Sequence, residues 1–192
     1  LMFVKLTLKF WLRLNQFKII VHKMRVLKVS SINVFGMETS SFFELSEQIS
    51  DEIMSSLSSL EDWGKADGHL GQYKHDVIAD EIATPQLVAA GLGVFSEERP
   101  PIGLEESFMA IIDPIDGSTN ASLGLPWYAL SLCLVHSGEA VASFVRNLAT
   151  GETFRAEIGS GAERNGKKIL VSGVRDIEDS IVVFNDLPTK HF

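Results

Sequence analysis

The stretch DPIDGSTN, residues 113–120, decides how the rest of the chain is interpreted, because it joins an apolar strand to a turn rich in oxygen ligands. The preceding residues SFMAIID, 107–113, have the apolar character of a buried β-strand. Pro114 cannot continue the hydrogen bonds of a sheet, and Gly117 permits backbone angles that other residues avoid. The pattern therefore predicts that the strand ends at Asp113 and that a tight turn follows.

The two carboxylates of this stretch predict a cation site. Asp113 and Asp116 flank the turn, so we expect them to converge on one point, where the carbonyl of Ile115 adds another oxygen. An all-oxygen cluster suits a hard cation such as Mg²⁺. Two such ions about 3.5–4 Å apart could activate water and stabilise the leaving oxygen of a phosphate ester. An ordinary Asp-Pro turn is the alternative for the motif taken alone.

The residues after the turn predict a phosphate cradle beside that site. Ser118 or Thr119 is expected to cap a short helix, and a helix start offers free N–H groups to a phosphate. A second acidic element, SEE at 96–98, ends an earlier strand, and Glu97 could reach the same cations. The pair Glu105–Glu106, in the loop before the central strand, competes for this role. Either pair could equally be solvated loop charge.

The order of the remaining segments predicts an α+β fold. Helical periodicity covers 37–63, where Thr39, Ser40 or Ser41 can cap the helix, and 73–93, where Pro85 interrupts the pattern. The run VFSEERPPIGLEES, 94–107, predicts a short strand and a loop. Strand-like runs follow the motif at 127–136, 139–147 and 152–158. Tight turns are predicted at 137–138 and 165–166, so an antiparallel meander follows the helices.

Charge and cysteine content restrict the environment and the partners. Residues 1–36 hold seven Lys and Arg and no Asp or Glu, whereas the rest of the chain is strongly acidic. An acidic body argues against binding a nucleic-acid backbone and is compatible with binding cations. The single cysteine, Cys133, allows no internal disulfide, which favours a reducing compartment, and we predict a cytoplasmic protein. Its apolar neighbours indicate a core residue.

Residues 1–36 form a basic, apolar extension with two interpretations. No uncharged run reaches the roughly 18 residues that a membrane span needs, and Arg13 interrupts a signal-peptide core. Lys5, Lys9 and Arg13 could share one face of an amphipathic helix at a membrane surface. We favour the other interpretation, in which 1–36 is not native, is disordered or is functionally idle. The α+β part is then 37–192.

Several segments together resemble one family. DPIDGSTN resembles the signature of the inositol monophosphatase family, which are Mg²⁺-dependent, lithium-sensitive phosphatases. The segment 123–172 resembles the family's sequence after the signature, VFSEE at 94–98 resembles its upstream Glu-Glu element, and DVIAD at 76–80 resembles a further acidic segment more loosely. The resemblance covers roughly residues 42–175. It implies a layered α/β/α/β/α sandwich of the inositol monophosphatase and fructose-1,6-bisphosphatase type.

The resemblance also implies a role for each site residue. It assigns the metal ligands to Glu97, Asp113, the carbonyl of Ile115 and Asp116. Glu97 and Ser118 would orient and deprotonate the attacking water, and the backbone amides of Gly117 and Ser118 would bind the phosphate. Asp80 would be an outer acidic group near a weaker metal.

One departure from the family affects the expected activity. The family's second half carries a Trp-Asp-x-Ala-Ala-Gly-like segment whose aspartate completes the metal site, and no tryptophan here begins such a segment. We therefore expect the chain to correspond to the N-terminal half, truncated at its C-terminal end. The alternative to turnover is a fragment that binds metal or phosphate without hydrolysis.

The expected reaction is Mg²⁺-dependent hydrolysis of a small polyol or sugar phosphate. Inositol 1-phosphate is the leading substrate, and histidinol phosphate, fructose 1,6-bisphosphate and a 3′-phosphoadenosine nucleotide stay open. Phosphatases that form an aspartyl-phosphate use Asp-x-Asp-Gly-Thr, whereas the spacing here is Asp-x-x-Asp. We expect neither nucleic acid nor membrane as a partner, and a homodimer is left open.

Overall fold

The structure is a computed structural model that describes residues 38–67 and 71–181. Both interpretations of residues 1–36 lie outside the described residues. Within these residues, no helix is both long and apolar enough to cross a membrane.

The first helix, α1, spans Thr39–Ser58 and ends five residues before the predicted end. One face is buried through Phe42, Ile49, Ile53 and Leu57, at the predicted spacing of three and four. The predicted cap is wrong, because Glu38 is the N-cap residue and makes no side-chain capping bond. The hydroxyls have other partners: Thr39 donates to Glu157 at 2.6 Å and Ser40 to Glu38 at 3.3 Å.

The second helix, α2, spans Lys74–Ala89 and continues through Pro85. Pro85 lacks the N–H that would bond to the carbonyl of Glu81, and both residues are exposed, so water can solvate that carbonyl. Gly91, with φ of 78°, ends the helix, and the N–H of Leu92 donates to the carbonyl of Leu87 at 3.2 Å.

The strands form one sheet in chain order from β1 to β7. Their bounds are β1 Gly93–Ser96, β2 Phe108–Asp116, β3 Ala129–His136, β4 Glu139–Asn147, β5 Thr153–Glu157, β6 Gly161–Arg164 and β7 Lys167–Ile169. Neighbours from β2 to β7 pair antiparallel, which confirms the predicted meander. The parallel pairing of β1 with β2 was not predicted.

Two of the connecting turns have the backbone that their sequences predict. Ser137 and Gly138 have φ of 51° and 81°, and Asn165 and Gly166 have φ of 50° and 71°. Positive φ at both central residues is the type I′ hairpin geometry, which matches the twist of the strands.

The core lies between the two helices and the sheet. Ile112, Leu132 and Phe144 are aligned across β2, β3 and β4, and all are fully or almost fully buried. They belong to one cluster with the apolar residues of α1 and α2. This arrangement confirms the predicted α+β class.

Cys133 on β3 is a buried core residue, as predicted. Burial raises the pKa of its thiol to about 11, so the reactive thiolate form is suppressed.

Candidate active site

The motif begins within β2 rather than after it. The predicted end at Asp113 is wrong, since β2 runs on to Asp116. Asp113 lies opposite Ser131 and Asp116 opposite Ala129, so the register with β3 shifts between the two aspartates. This β-bulge accommodates Pro114, which cannot donate a ladder hydrogen bond. The bulge therefore positions both carboxylates at the end of a central strand.

Gly117 turns the chain from β2 into α3, the short helix Ser118–Ser122. It is the N-cap residue, with φ of 100°, and a Cβ at this position would lie 2.7 Å from the carbonyl oxygen of Trp127. The predicted hydroxyl cap is wrong, because the Ser118 hydroxyl donates instead to the carbonyl of Ile115 at 2.9 Å. The close approach and the left-handed backbone both require glycine.

Asp113 has an acidic environment. Its Oδ1 is buried and has no hydrogen-bond partner among the described residues. Burial raises the pKa of Asp113 well above its usual range, and the neighbouring carboxylates of Glu97, Asp116, Glu98 and Asp76 raise it further. The structure thus brings together Glu97, Asp113 and Asp116, the three predicted acidic ligands. Like charges this close favour either a proton or a cation between them.

Glu98 belongs to the same environment, although sequence reasoning selected only its neighbour Glu97. Burial raises the pKa of Glu98 to about 7, against the lowering effect of the Gln72 amide, which donates to its carboxylate. The carboxylates of Asp76, Glu97 and Asp80 add to the increase.

The competing pair Glu105–Glu106 lies at the other end of β2. Glu106 lines a cavity of about 330 Å³ together with Met109 and His136, near the start of the strand. Both glutamates are exposed. They are therefore separated from the Asp113 environment by the length of the strand.

The carboxylate of Asp80 is fully paired with other side chains of the described part of the chain. Its Oδ1 accepts hydrogen bonds from the hydroxyls of Thr84 at 3.0 Å and Ser96 at 2.9 Å. Its Oδ2 pairs with the guanidinium of Arg99. The charges that raise the pKa of Asp113 include Asp76, one helical turn earlier, and not Asp80. Asp76 acts on both Asp113 and Glu98, and Asp80 acts on Glu98, so the role of Asp80 as an outer acidic group stays a prediction.

His75, at the start of α2, is fully buried and contacts the motif helix. Its Nε2 lies 3.2 Å from the carbonyl oxygen of Ser118. Burial lowers the pKa of His75, although Asp76 and the bond to Ser118 oppose this shift. The scattered histidines of the sequence gave no spacing signal for this contact.

The donor set fits a hard cation by its chemistry. The groups that influence Asp113 are carboxylates, and the Ile115 carbonyl of the same turn keeps a second lone pair beside its bond from Ser118. Across residues 38–67 and 71–181, no three His, Cys, Asp or Glu side chains are grouped so as to hold an ion as they stand. The carboxylates therefore influence one another electrostatically without forming a closed coordination sphere.

An α+β fold with an acidic turn at the end of β2 is the arrangement that the sequence predicted for this motif. Residues 66–189 match the model of the inositol monophosphatase family. The chain belongs to this family, which confirms the resemblance.

Several relatives share the matched region. The chain is 30% identical over 157 residues to a fructose-1,6-bisphosphatase/inositol-1-monophosphatase of Archaeoglobus fulgidus, covering 77% of this chain and 62% of the relative. It is 35% identical over 107 residues to an inositol-1-monophosphatase of Mesorhizobium japonicum, and the match covers 54% of this chain and 40% of that relative. The crystal structure of the extragenic suppressor protein suhB of Bartonella henselae superimposes with a TM-score of 0.62 at 32% identity. This match covers 72% of this chain and 57% of suhB. The chain thus spans less than two thirds of each of these proteins.

Proposed function

We propose that this chain supplies the N-terminal part of the active site of a Mg²⁺-dependent phosphomonoesterase. The observation that carries the proposal is the buried Oδ1 of Asp113, which has no partner in the described part of the chain and lies among four further carboxylates. A buried charge with no donor and several like charges is unfavourable unless a cation or a proton compensates it. Membership of a family whose relatives are named as phosphatases supports the cation.

Each residue of the site has a proposed role. Glu97, Asp113, Asp116 and the carbonyl of Ile115 would hold Mg²⁺, which supplies charge neutralisation and a lowered water pKa when it is bound. The Ser118 hydroxyl, fixed by its bond to Ile115, would orient the attacking water with Glu97 as the base. The amides of Gly117 and Ser118 would bind the phosphate, since the first amides of a helix have no acceptor within it.

The proposed substrate is a small phosphorylated polyol or sugar, with inositol 1-phosphate first. Relatives are named for inositol monophosphate and for fructose 1,6-bisphosphate, so both substrates belong in the first assay. Histidinol phosphate and a 3′-phosphoadenosine nucleotide are the substrates to test next.

The second candidate is binding of metal or phosphate without hydrolysis. One observation favours it: the carboxylates around Asp113 would attract a cation, yet no three side chains among the described residues are grouped to hold it as they stand. Such an open site would bind a cation without placing the attacking water.

The test measures phosphate release by the full chain from inositol 1-phosphate and fructose 1,6-bisphosphate, in Mg²⁺ and in EDTA. Asp116→Asn removes a proposed ligand, and Asp179→Asn, at an exposed aspartate in a short 3₁₀ helix, is the matched control. Mg²⁺-dependent release that is lost only in Asp116→Asn supports hydrolysis. Mn²⁺ binding by titration calorimetry that is lost in Asp116→Asn, with no release, supports the second candidate. Neither release nor binding by the wild-type chain overturns both.

A further inference from the structure

A side chain from the start of α2 contacts the motif helix α3. The Nε2 of His75 lies 3.2 Å from the carbonyl oxygen of Ser118, the first residue of this five-residue helix.

The acceptor fixes the protonation of His75. A carbonyl oxygen can only accept a hydrogen bond, so Nε2 must carry the proton. Nδ1 is buried and has no partner in the described part of the chain. The nearest oxygen of Asp76 is 3.6 Å from Nε2, beyond the usual range of an N–H···O bond. The contacts thus select the neutral imidazole with its proton on Nε2.

The imidazole ring is held in place on both sides. Tyr73 stacks on it with ring centres 5.1 Å apart and planes inclined by 16°, and Trp63 contacts it at 5.2 Å. Trp63 is itself fixed, because its Nε1 donates to the carbonyl of Leu60 at 2.9 Å. The Nζ of Lys65 lies 3.4 Å from the centre of the Tyr73 ring. A ring packed in this way cannot move without disturbing α3 as well.

We propose that His75 is a positioning residue that fixes the peptide groups of the phosphate cradle. The inference rests on the proposed function, in which the amides of Gly117 and Ser118 bind phosphate. The Ser118 carbonyl belongs to the peptide group that carries the Thr119 N–H, so a bond to it fixes the first peptide of α3 and acts on the preceding amides of Gly117 and Ser118 through the backbone of Ser118. Ser118 makes two hydrogen bonds. Its hydroxyl donates to the Ile115 carbonyl, and its own carbonyl accepts from His75. Preorganised donors of this kind avoid reorientation when the anion arrives.

The test compares three substitutions of His75 in the full chain. His75→Gln keeps a donor that can reach the place of Nε2. His75→Asn keeps an amide that reaches only the place of Nδ1, and His75→Phe keeps the ring stacking without a donor. His136→Phe is the matched control, since His136 also bonds to a carbonyl, that of Ser107 at 3.0 Å, and stacks on Phe108 at 4.4 Å. It lies at the far end of the sheet from Asp113.

Two measurements are made on each protein. Nitrogen-15 NMR of the imidazole identifies the tautomer of His75. Titration with inorganic phosphate in the presence of Mg²⁺, followed through the amide signals of Gly117 and Ser118, gives phosphate affinity and amide position without requiring turnover.

The proposal expects the Nε2–H tautomer, shifted Gly117 and Ser118 amides in His75→Asn and His75→Phe, and phosphate binding weaker by about tenfold in both, the size of one lost hydrogen bond. His75→Gln and His136→Phe should bind phosphate as the wild type does. An Nδ1–H tautomer, or amide signals and affinity that are unchanged in His75→Phe, would overturn the proposal. Wild-type protein that binds no phosphate overturns the proposed function, whereas the tautomer and the amide shifts still decide whether His75 holds Ser118.

Discussion

Asp80 and Asp113 both place a carboxylate oxygen in the interior, but their pockets are opposite in character. Asp80 accepts from two hydroxyls and pairs with Arg99, so its charge is balanced within the chain. Asp113 has an Oδ1 with no donor among residues 38–67 and 71–181 and lies among other carboxylates. The first pocket stabilises the fold at the junction of α2 and β1. In the second, a proton or a cation from solution has to balance the carboxylate.

The largest difference between the pockets should appear in the metal-free protein. Asp80→Asn should lower the free energy of unfolding by about 2–3 kcal/mol, because it leaves the Arg99 guanidinium beside a neutral amide. Asp113→Asn should raise it by about 1 kcal/mol at neutral pH in EDTA, because it removes a charge from among like charges. Urea denaturation measures both. Equal losses in the two variants would mean that Asp113 is a structural anchor like Asp80.

The backbone of the Asp113 pocket offers a second, smaller test. Gly117→Ala should lower the free energy of unfolding by about 1 kcal/mol more than Gly124→Ala. Both glycines have positive φ, of 100° and 71°, so both variants share the strain of a left-handed alanine. The two variants differ in the contact of the added Cβ. At Gly117 it would lie 2.7 Å from the Trp127 carbonyl oxygen, whereas at Gly124 no atom of the described residues lies within 4 Å. Thermal unfolding of the two variants therefore measures the cost of the contact with Trp127. Equal decreases in melting temperature would show that the turn can relax around the added Cβ.

The smallest effect is a dependence of stability on pH. The pKa of Glu98 is raised to about 7 and that of Asp113 is raised as well, so the folded state binds these protons more tightly than the unfolded state. The stability that Glu98 contributes is therefore full below about pH 4 and is lost as the pH rises through about 7, and Asp113 acts in the same direction.

The measurement is urea denaturation of the metal-free chain across this range, repeated with saturating Mg²⁺. Mg²⁺ should reduce the loss, since a cation takes the place of the protons. Glu98→Gln should also reduce it. A profile that is the same with and without Mg²⁺ would contradict a cation site at these carboxylates.

Sequence reasoning identified the features that are encoded locally. The hairpin turns at 137–138 and 165–166 and the antiparallel meander depend on neighbouring residues. The contacts of Asp80 with Arg99 and of His75 with Ser118 join residues 19 and 43 positions apart, and no spacing rule anticipates them.

The parallel pairing of β1 with β2 was missed for the same reason, since the loop between the two strands carries no signal for its direction. The bulge at Pro114 was misread as a strand end because proline signals both.

The contacts that fasten α1 to the sheet have a consequence for synthesis on the ribosome. Arg155 pairs with Glu47, and Arg146 bonds to Ser50, across 108 and 96 residues of chain. At about 5–20 residues per second, α1 emerges about 5–20 s before the strands that cover it. During that interval the apolar face with Ile49 and Ile53 has no β-sheet to pack against. The nascent chain is thus most exposed to chaperones and to aggregation before β4 and β5 have been made.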